Sequence, residues 1–309
     1  MRTSLAVIAC ITAFAIPAAA DELGSPDRVH DFHTTDRLTP ATSFSVDFGY
    51  VFLDPIDVPL TDNDIETTVL RVDVDAHWVS EMGAGAYVSL PLAYIGSSDI
   101  QVPLAGTIKG LSEFRLGNLE LGGLYALKAK RADVVFRAGF ALPTQADDAS
   151  GASEDTVREN LAEATHPLSA AARIGDLALA WPNTGWIRLS VSPMGNVGPF
   201  FLRADLGADV PVADEDDYVD IDPILRANLA AGLDLGQGEV SVELDTVKVS
   251  TETDEDDEVW STLALGGRFG ARSAQLGVAV VVPVGIDDDA LFGGVNLSAL
   301  VTASGRFGE

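Results

Sequence analysis

The chain has 309 residues, with 47 acidic side chains against 19 basic ones for a formal charge of −28, yet 47% of its residues are hydrophobic. Such acidity excludes a nucleic-acid binder, which needs Lys and Arg to neutralise phosphates, and the hydrophobic content excludes a disordered acidic tail. A chain this acidic and this apolar must segregate the two along its length.

At the N-terminus, Arg2 precedes an apolar run over residues 5–16, then Pro17 and Ala18-Ala19-Ala20 before Asp21. A positive start, a short apolar core and a small-residue cleavage site describe a secretory signal, here residues 1–20. The run is shorter than the roughly 20 residues a membrane helix needs. Val7-Ile8-Ala9-Cys10 also fits a lipoprotein box, but cutting there leaves almost no apolar core. Cleavage after Ala20 removes Cys10, the only cysteine, so no disulfide or thiolate metal site is expected in the mature chain. Residues 21–42 then form a periplasmic lead, and 43–309 one folded domain.

From there the pattern has period two. Residues 43–53 place Phe44, Val46, Phe48, Tyr50 and Phe52 on one parity and Ser45, Asp47 and Gly49 on the other. Residues 69–80 set Leu70, Val72, Val74, Ala76 and Trp78 against Arg71, Asp73, Asp75 and His77. A weaker run covers 83–94. Leu119, Leu121, Tyr125 and Leu127 oppose Asn118 and Glu120, and Val134, Phe136, Ala138, Phe140 and Leu142 oppose Arg137. A short run over 186–192 contains Arg188. Residues 200–212 set Leu202, Ala204, Leu206, Ala208 and Val210 against Arg203, Asp205 and Asp209. Residues 223–235 set Leu225, Leu229, Leu233 and Leu235 against Arg226, Asn228 and Asp234. The last runs, 238–249 with Glu243 and Asp245, 259–269 with Arg268, 273–284 and 293–303, bring the count to about twelve, within a range of 10–14.

The links alternate in length. Short ones fall at 81–83, 128–132, 194–198, 236–238 and 270–273; long ones at 54–68, 95–113, 145–185, 213–222, 251–258 and 285–293. The acids follow the long links, as in Asp214-Glu215-Asp216-Asp217, 254–258 and Asp287-Asp288-Asp289. Short turns on one side and long loops on the other describe an all-β, up-and-down antiparallel transmembrane barrel with short periplasmic turns and acidic extracellular loops. Several runs reach the 9–11 or so residues of a tilted membrane strand, longer than the 5–6 or so of a typical globular strand. The apolar parity then meets lipid and the polar parity faces the lumen.

Within the long 145–185 link, Ser153 followed by Glu154 and Asp155 reads as a helix start, with helix over 156–164 ending at His166-Pro167. That segment folds into or over the pore mouth, or 171–181 adds a further strand. The acidic clusters lack the spacing of a calcium loop, so they read as solvated loops, with weak divalent bridging to anionic headgroups as the alternative. His77 beside Asp73 and Asp75 reads as a polar lumen residue, since no His pair has metal-ligand spacing. No Gly-x-Ser-x-Gly elbow is present, which leaves a barrel-bound lipase as a minor alternative to a non-enzyme. Asp47, Arg71, Asp73, Asp75, His77, Glu120, Arg137, Arg188, Arg203, Asp205, Asp209, Arg226, Asp234, Glu243, Asp245 and Arg268 are the candidate lumen residues. They form either a charged constriction that selects permeants or a ladder of paired charges filling a narrow barrel. No cofactor and no metal site is expected.

Gly117-Asn118-Leu119-Glu120-Leu121-Gly122, Tyr125-Ala126-Leu127 and Ala138-Gly139-Phe140-Ala141-Leu142-Pro143-Thr144 resemble a recurring passage in one family of Gram-negative outer-membrane barrels. The family is named after the meta-cleavage pathway of phenol degradation. Its members show Gly-Asp-x-x-Leu-Gly and a later Leu-Pro-Thr-Gly; Asn118 and Gln145 depart from those patterns. The resemblance covers about thirty residues and implies a transporter-like barrel passing small hydrophobic or aromatic compounds. Aromatic residues are 7% of the chain, so interface girdles are sparse; Phe44, Tyr50, Phe52, Trp78, Phe140 and Trp260 are the candidates. Phe307 is followed by Gly308 and Glu309, a departure from the terminal Phe that resembles an assembly signal. The expected partners are the outer-membrane lipids, a small permeant, periplasmic chaperones and the barrel-assembly machinery. The expected function is passive passage of small solutes. The rivals are a filled structural or adhesive barrel and a secreted soluble β-sandwich binder.

Overall fold

The computed structural model describes residues 32–34, 41–57, 64–102, 106–129, 132–144, 165–214, 222–249, 258–271, 273–285 and 294–307. The signal over 1–20 and the helix expected over 156–164 lie outside them, as do most of the acidic loop clusters. In chain order the strands begin with β1 (Thr42–Leu53), the short pair β2 (Ile56–Asp57) and β3 (Asp64–Ile65), then β4 (Thr67–Val79) and β5 (Ala84–Ser97). A small hairpin of β6 (Ile100–Val102) and β7 (Gly106–Ile108) leads to β8 (Ser112–Leu116), β9 (Leu119–Lys128) and β10 (Ala132–Leu142). Seven long strands complete the set: β11 (Thr184–Val197), β12 (Phe200–Asp214), β13 (Ile224–Asp234), β14 (Gly238–Val249), β15 (Glu258–Ala271), β16 (Ala274–Val284) and β17 (Val295–Phe307).

Every long strand pairs antiparallel with its sequence neighbours, β17 pairs with β1, and the β4–β5 ladder completes a closed ring. Both β8 and β9 pair with β5, at Leu92–Gly96 and Ala84–Ser89 respectively, so they share one wall position and the barrel has twelve. The break between them has a local cause. Pro91 on β5 has no N–H to offer, and there the ladder keeps only the bond from Gly117 N–H to the Pro91 carbonyl, at 2.9 Å.

Alternation sets the two faces of the wall. Phe48, Leu229 and Leu265 are 52%, 41% and 65% exposed, while their neighbours Asp47, Asn228 and Ala264 are at 1%, 0% and 0%. An apolar belt of this kind on strand after strand needs an apolar medium outside it. Tight turns close one end. Gly83 (φ 84°) sits in the β4–β5 turn, where a Cβ would fall 2.2 Å from the Ala126 carbonyl oxygen.

Three elements differ from the sequence reading. The run at 186–192 extends to all of Thr184–Val197, because Pro193 and Gly195 break the alternation without ending the strand. The 95–113 link is structured, holding β6, β7 and the start of β8. Residues 171–181 add no strand. After Thr165 the chain runs through the lumen as 3-10 turns His166–Ala172 and Ile174–Asp176 and one helical turn, Leu177–Ala180, all buried. Trp260 is also corrected: on β15 it shares its parity with Thr262 and Ala264 and points inward, 5% exposed, and so takes no part in a lipid-interface girdle.

Candidate functional site

The lumen is built from the inward parity of the wall and two enclosed segments. Nearest the long loops the wall turns apolar residues inward, among them Val51, Val69, Trp186, Ile224, Val247 and Trp260, against Leu168, Ala171, Ile174, Leu177 and Leu179 of the inner segment. Small alanines let that segment fit where a bulkier helix face would overpack the space. Within it, burial pushes the His166 imidazole down to about 4, and Arg71 and Arg115 act in the same direction. The ring is therefore neutral, and its Nδ1–H donates to the Ala180 carbonyl at 2.9 Å.

Below this layer lies a belt of charge. Arg71 Nε donates to both Asp73 oxygens at 2.8 Å, and its guanidinium lies 3.7 Å from Asp176. Arg173 of the inner segment reaches Asp47 at 3.2 Å, Asp73 at 3.5 Å, Asp75 at 3.6 Å and Asp176 at 2.8 Å. Thr302 donates to Asp47, and Ser89 donates to Asp75 at 2.6 Å. Across the lumen Arg188 spans Glu120 at 2.6 Å, Asp176 at 3.2 Å and Asp209 at 3.2 Å. Glu120 also receives Arg137 and the Tyr87 hydroxyl, and Arg137 stacks over the Tyr87 ring at 4.3 Å. Arg226 pairs with Asp209 at 3.0 Å and Asp205 at 3.6 Å. His77 meets Tyr87 edge-on, with ring centroids 5.9 Å apart. Removing one partner of such a buried pair costs about 3–5 kcal/mol because the other charge stays buried.

Nearest the short turns, residues 32–34 of the N-terminal lead occupy the lumen. The backbone N–H of His33 donates to both Glu243 oxygens at 2.9 Å, and the Thr34 hydroxyl sits between the carboxyl groups of Glu243, at 2.8 Å, and Asp245. Arg268 donates to the Phe32 carbonyl and pairs with Glu239 at 3.1 Å, while Arg203 lies 4.8 Å over the Phe32 ring. Gly266 leaves the room that His33 fills: a Cβ there would lie 2.6 Å from the imidazole.

All the candidate lumen residues but Asp234 are buried. Asp234 keeps the inward parity but sits at the rim, accepting from Gly236 N–H at 2.8 Å in the β13–β14 turn. Residues absent from the sequence reading include Arg173, Asp176, Tyr87, Glu239 and the Phe32–His33–Thr34 step. Tyr87 and Glu239 lie on inward strand positions and were legible by parity; the others lie in segments with no period. Among the described residues no group of three or more His, Cys, Asp and Glu is arranged to hold a metal ion.

No protein-family model and no curated protein matches the chain. Solved structures do match. The fold is similar to the crystal structure of an outer membrane channel from Pseudomonas putida F1, with a TM-score of 0.60 and 11% identity, covering 91% of this chain and 100% of that one. The KdgM porin aligns over 85% of this chain and 99% of its own at a TM-score of 0.44 and 9% identity. The closed wall and the likeness to the Pseudomonas putida channel agree: the chain folds as a twelve-stranded antiparallel barrel of the outer-membrane type.

Proposed function

We propose that the protein is an outer-membrane channel for passive passage of small solutes, exported by a cleaved signal, with its short turns in the periplasm and its acidic loops outside. One observation carries this reading: an apolar outer wall encloses charges that are paired through an inserted segment rather than through the wall alone. A lumen built only for stability is more simply filled with well-packed apolar side chains, which often stabilise as well as or better than buried ion pairs. Charges that line a pathway instead act on what passes. Resemblance to the phenol meta-pathway barrels adds small hydrophobic or aromatic compounds as permeants, and the inward Trp186 and Trp260 offer such a compound an apolar mouth.

Planar-bilayer recording of the refolded mature protein tests the proposal. Stepwise openings are expected; silence from protein that shows heat-modifiable gel mobility contradicts it. A second reading, a filled structural or adhesive barrel, is favoured by the complete burial of residues 165–180, and the same recordings decide between the two. Liposome swelling with sugars, amino acids and aromatics then ranks the permeants.

A further inference from the structure

Residues 165–183 enter the lumen without joining the sheet; besides the pairs that Asp176 makes with Arg71 and Arg188 and the Arg188 bond to the Gly175 carbonyl, two attachments define how they sit. The first is Asn118, at the break in the wall. Its backbone N–H donates to the Leu179 carbonyl at 2.8 Å, and its side-chain amide nitrogen, with two hydrogens to give, lies within reach of the carbonyls of Ala178 at 3.0 Å, Trp181 at 2.8 Å and Thr184 at 3.1 Å. Such close approach needs Gly117 beside it, because a Cβ there would lie 2.6 Å from the Leu179 oxygen. The second attachment is Arg173, whose guanidinium spans Asp47, Asp73 and Asp75. Asp47 and Asp73 face each other directly across β1 and β4, a like-charge pairing that destabilises a sheet unless a cation offsets it. The seat belongs to the rigid wall, whereas the cation in it belongs to a segment built of short 3-10 turns.

We propose that this segment is a gate hinged at Asn118 and latched by Arg173, and that unlatching leaves Asp47, Asp73 and Asp75 as a constriction favouring small cations. The proposal rests on the channel reading above and adds small cations to the permeants named there. Withdrawal of Arg173 uncovers Asp47 and Asp75 beside an Asp73 still paired with Arg71, a net negative wall, and carboxylates lining a constriction select cations. Asn118 is a positioning residue here: it keeps the base of the segment against the wall while the tip moves.

The test uses the mature protein, which the expected cleavage leaves without cysteine. A Cβ on Gly49 would lie 3.5 Å from the Ala172 Cβ, within the roughly 3.5–4.5 Å span of a disulfide. The Gly49→Cys/Ala172→Cys protein is expected to be silent when oxidised and to open on reduction, with a reversal potential on the cation side in a KCl gradient. Arg173→Gln is expected to raise conductance and keep the cation preference. Adding Asp47→Asn, Asp73→Asn and Asp75→Asn is expected to remove the preference while openings persist. Equal conductance from the oxidised and reduced protein, or unchanged conductance in Arg173→Gln, overturns the proposal. A second readout needs no current. The thiol of Ala172→Cys, in folded heat-modifiable protein, is expected to react with a bulky water-soluble reagent about tenfold faster or more once Arg173→Gln is added, since local opening sets its access. An unchanged rate overturns the gate. A faster rate with no current from any variant overturns the channel reading and the selectivity with it, while the hinged motion stands.

Discussion

The two ends of the lumen are filled by different chemistry. Toward the long loops, Leu168, Ile174, Leu177 and Leu179 pack on inward Val51, Val69, Trp186 and Ile224; toward the short turns, Phe32, His33 and Thr34 are held by Arg268, Glu243 and Asp245. Apolar contact is non-directional and scales with the area buried. Charge-assisted hydrogen bonds are directional and fix register. The same inward parity therefore seats one segment by shape and the other by specific polar partners, and the two should fail in different ways.

Trp186→Ala should produce the largest effect. Trp186 is fully buried in the apolar end, and truncating such a side chain costs about 3–5 kcal/mol. The thermal unfolding midpoint of the folded barrel should fall, with current rising before unfolding if the inner segment loosens first. An unchanged midpoint would mean that the apolar end is not packed as described.

One apolar exterior surrounds both ends. Leu229→Arg places a charge on that exterior and should impair assembly by about 2–4 kcal/mol near the bilayer midplane. Asn228→Arg, on the lumen side, should assemble and alter permeation. Equal tolerance at the two positions would contradict the assignment of faces.

At the polar end, Thr34→Val keeps the shape and removes the hydroxyl that serves Glu243 and Asp245. Hydrogen bonds to charged groups contribute about 1.5–3 kcal/mol. Proteolysis of the N-terminal lead in the folded protein should speed up while the midpoint governed by Trp186 holds. A lead as resistant as the unsubstituted one would remove the distinction between the two ends.

Per pH unit, the smallest effect is a pH dependence at the apolar end. Burial holds His166 near 4, so between its ordinary value of 6.5 and 4 the released segment binds a proton that the seated one does not. Seating is therefore complete above about pH 6.5 and weakens as pH falls towards 4, by at most about 1.4 kcal/mol per unit. Open probability should rise over that interval, and His166→Gln should flatten the rise; a slope identical in both proteins would assign it to other groups.

The wall was legible because its strands repeat one parity over many residues. Residues 69–79 place Arg71, Asp73, Asp75 and His77 inward, and 132–142 place Arg137 inward, with neighbours that leave no second register. Parity alone also puts Trp260 inside with Thr262 and Ala264, although an aromatic residue near a strand end invites the interface reading. What fills the lumen was not legible. Arg173 and Asp176 lie in 3-10 turns, and Phe32, His33 and Thr34 lie in an irregular stretch, so no period reports which way their side chains point. Asn118 was visible as an inward polar residue, but its service to three carbonyls some sixty residues later depends on tertiary packing.

The two-faced wall itself is tested most directly by fluorescence quenching with brominated lipids, using proteins that keep one native tryptophan each. Trp78 is 59% exposed on the outer face and Trp260 is 5% exposed on the inner one. In vesicles carrying bromines at shallow acyl positions, Trp78 alone should be strongly quenched and Trp260 alone left bright. Equal quenching of the two, or none of Trp78, would contradict a barrel whose apolar parity lies against lipid.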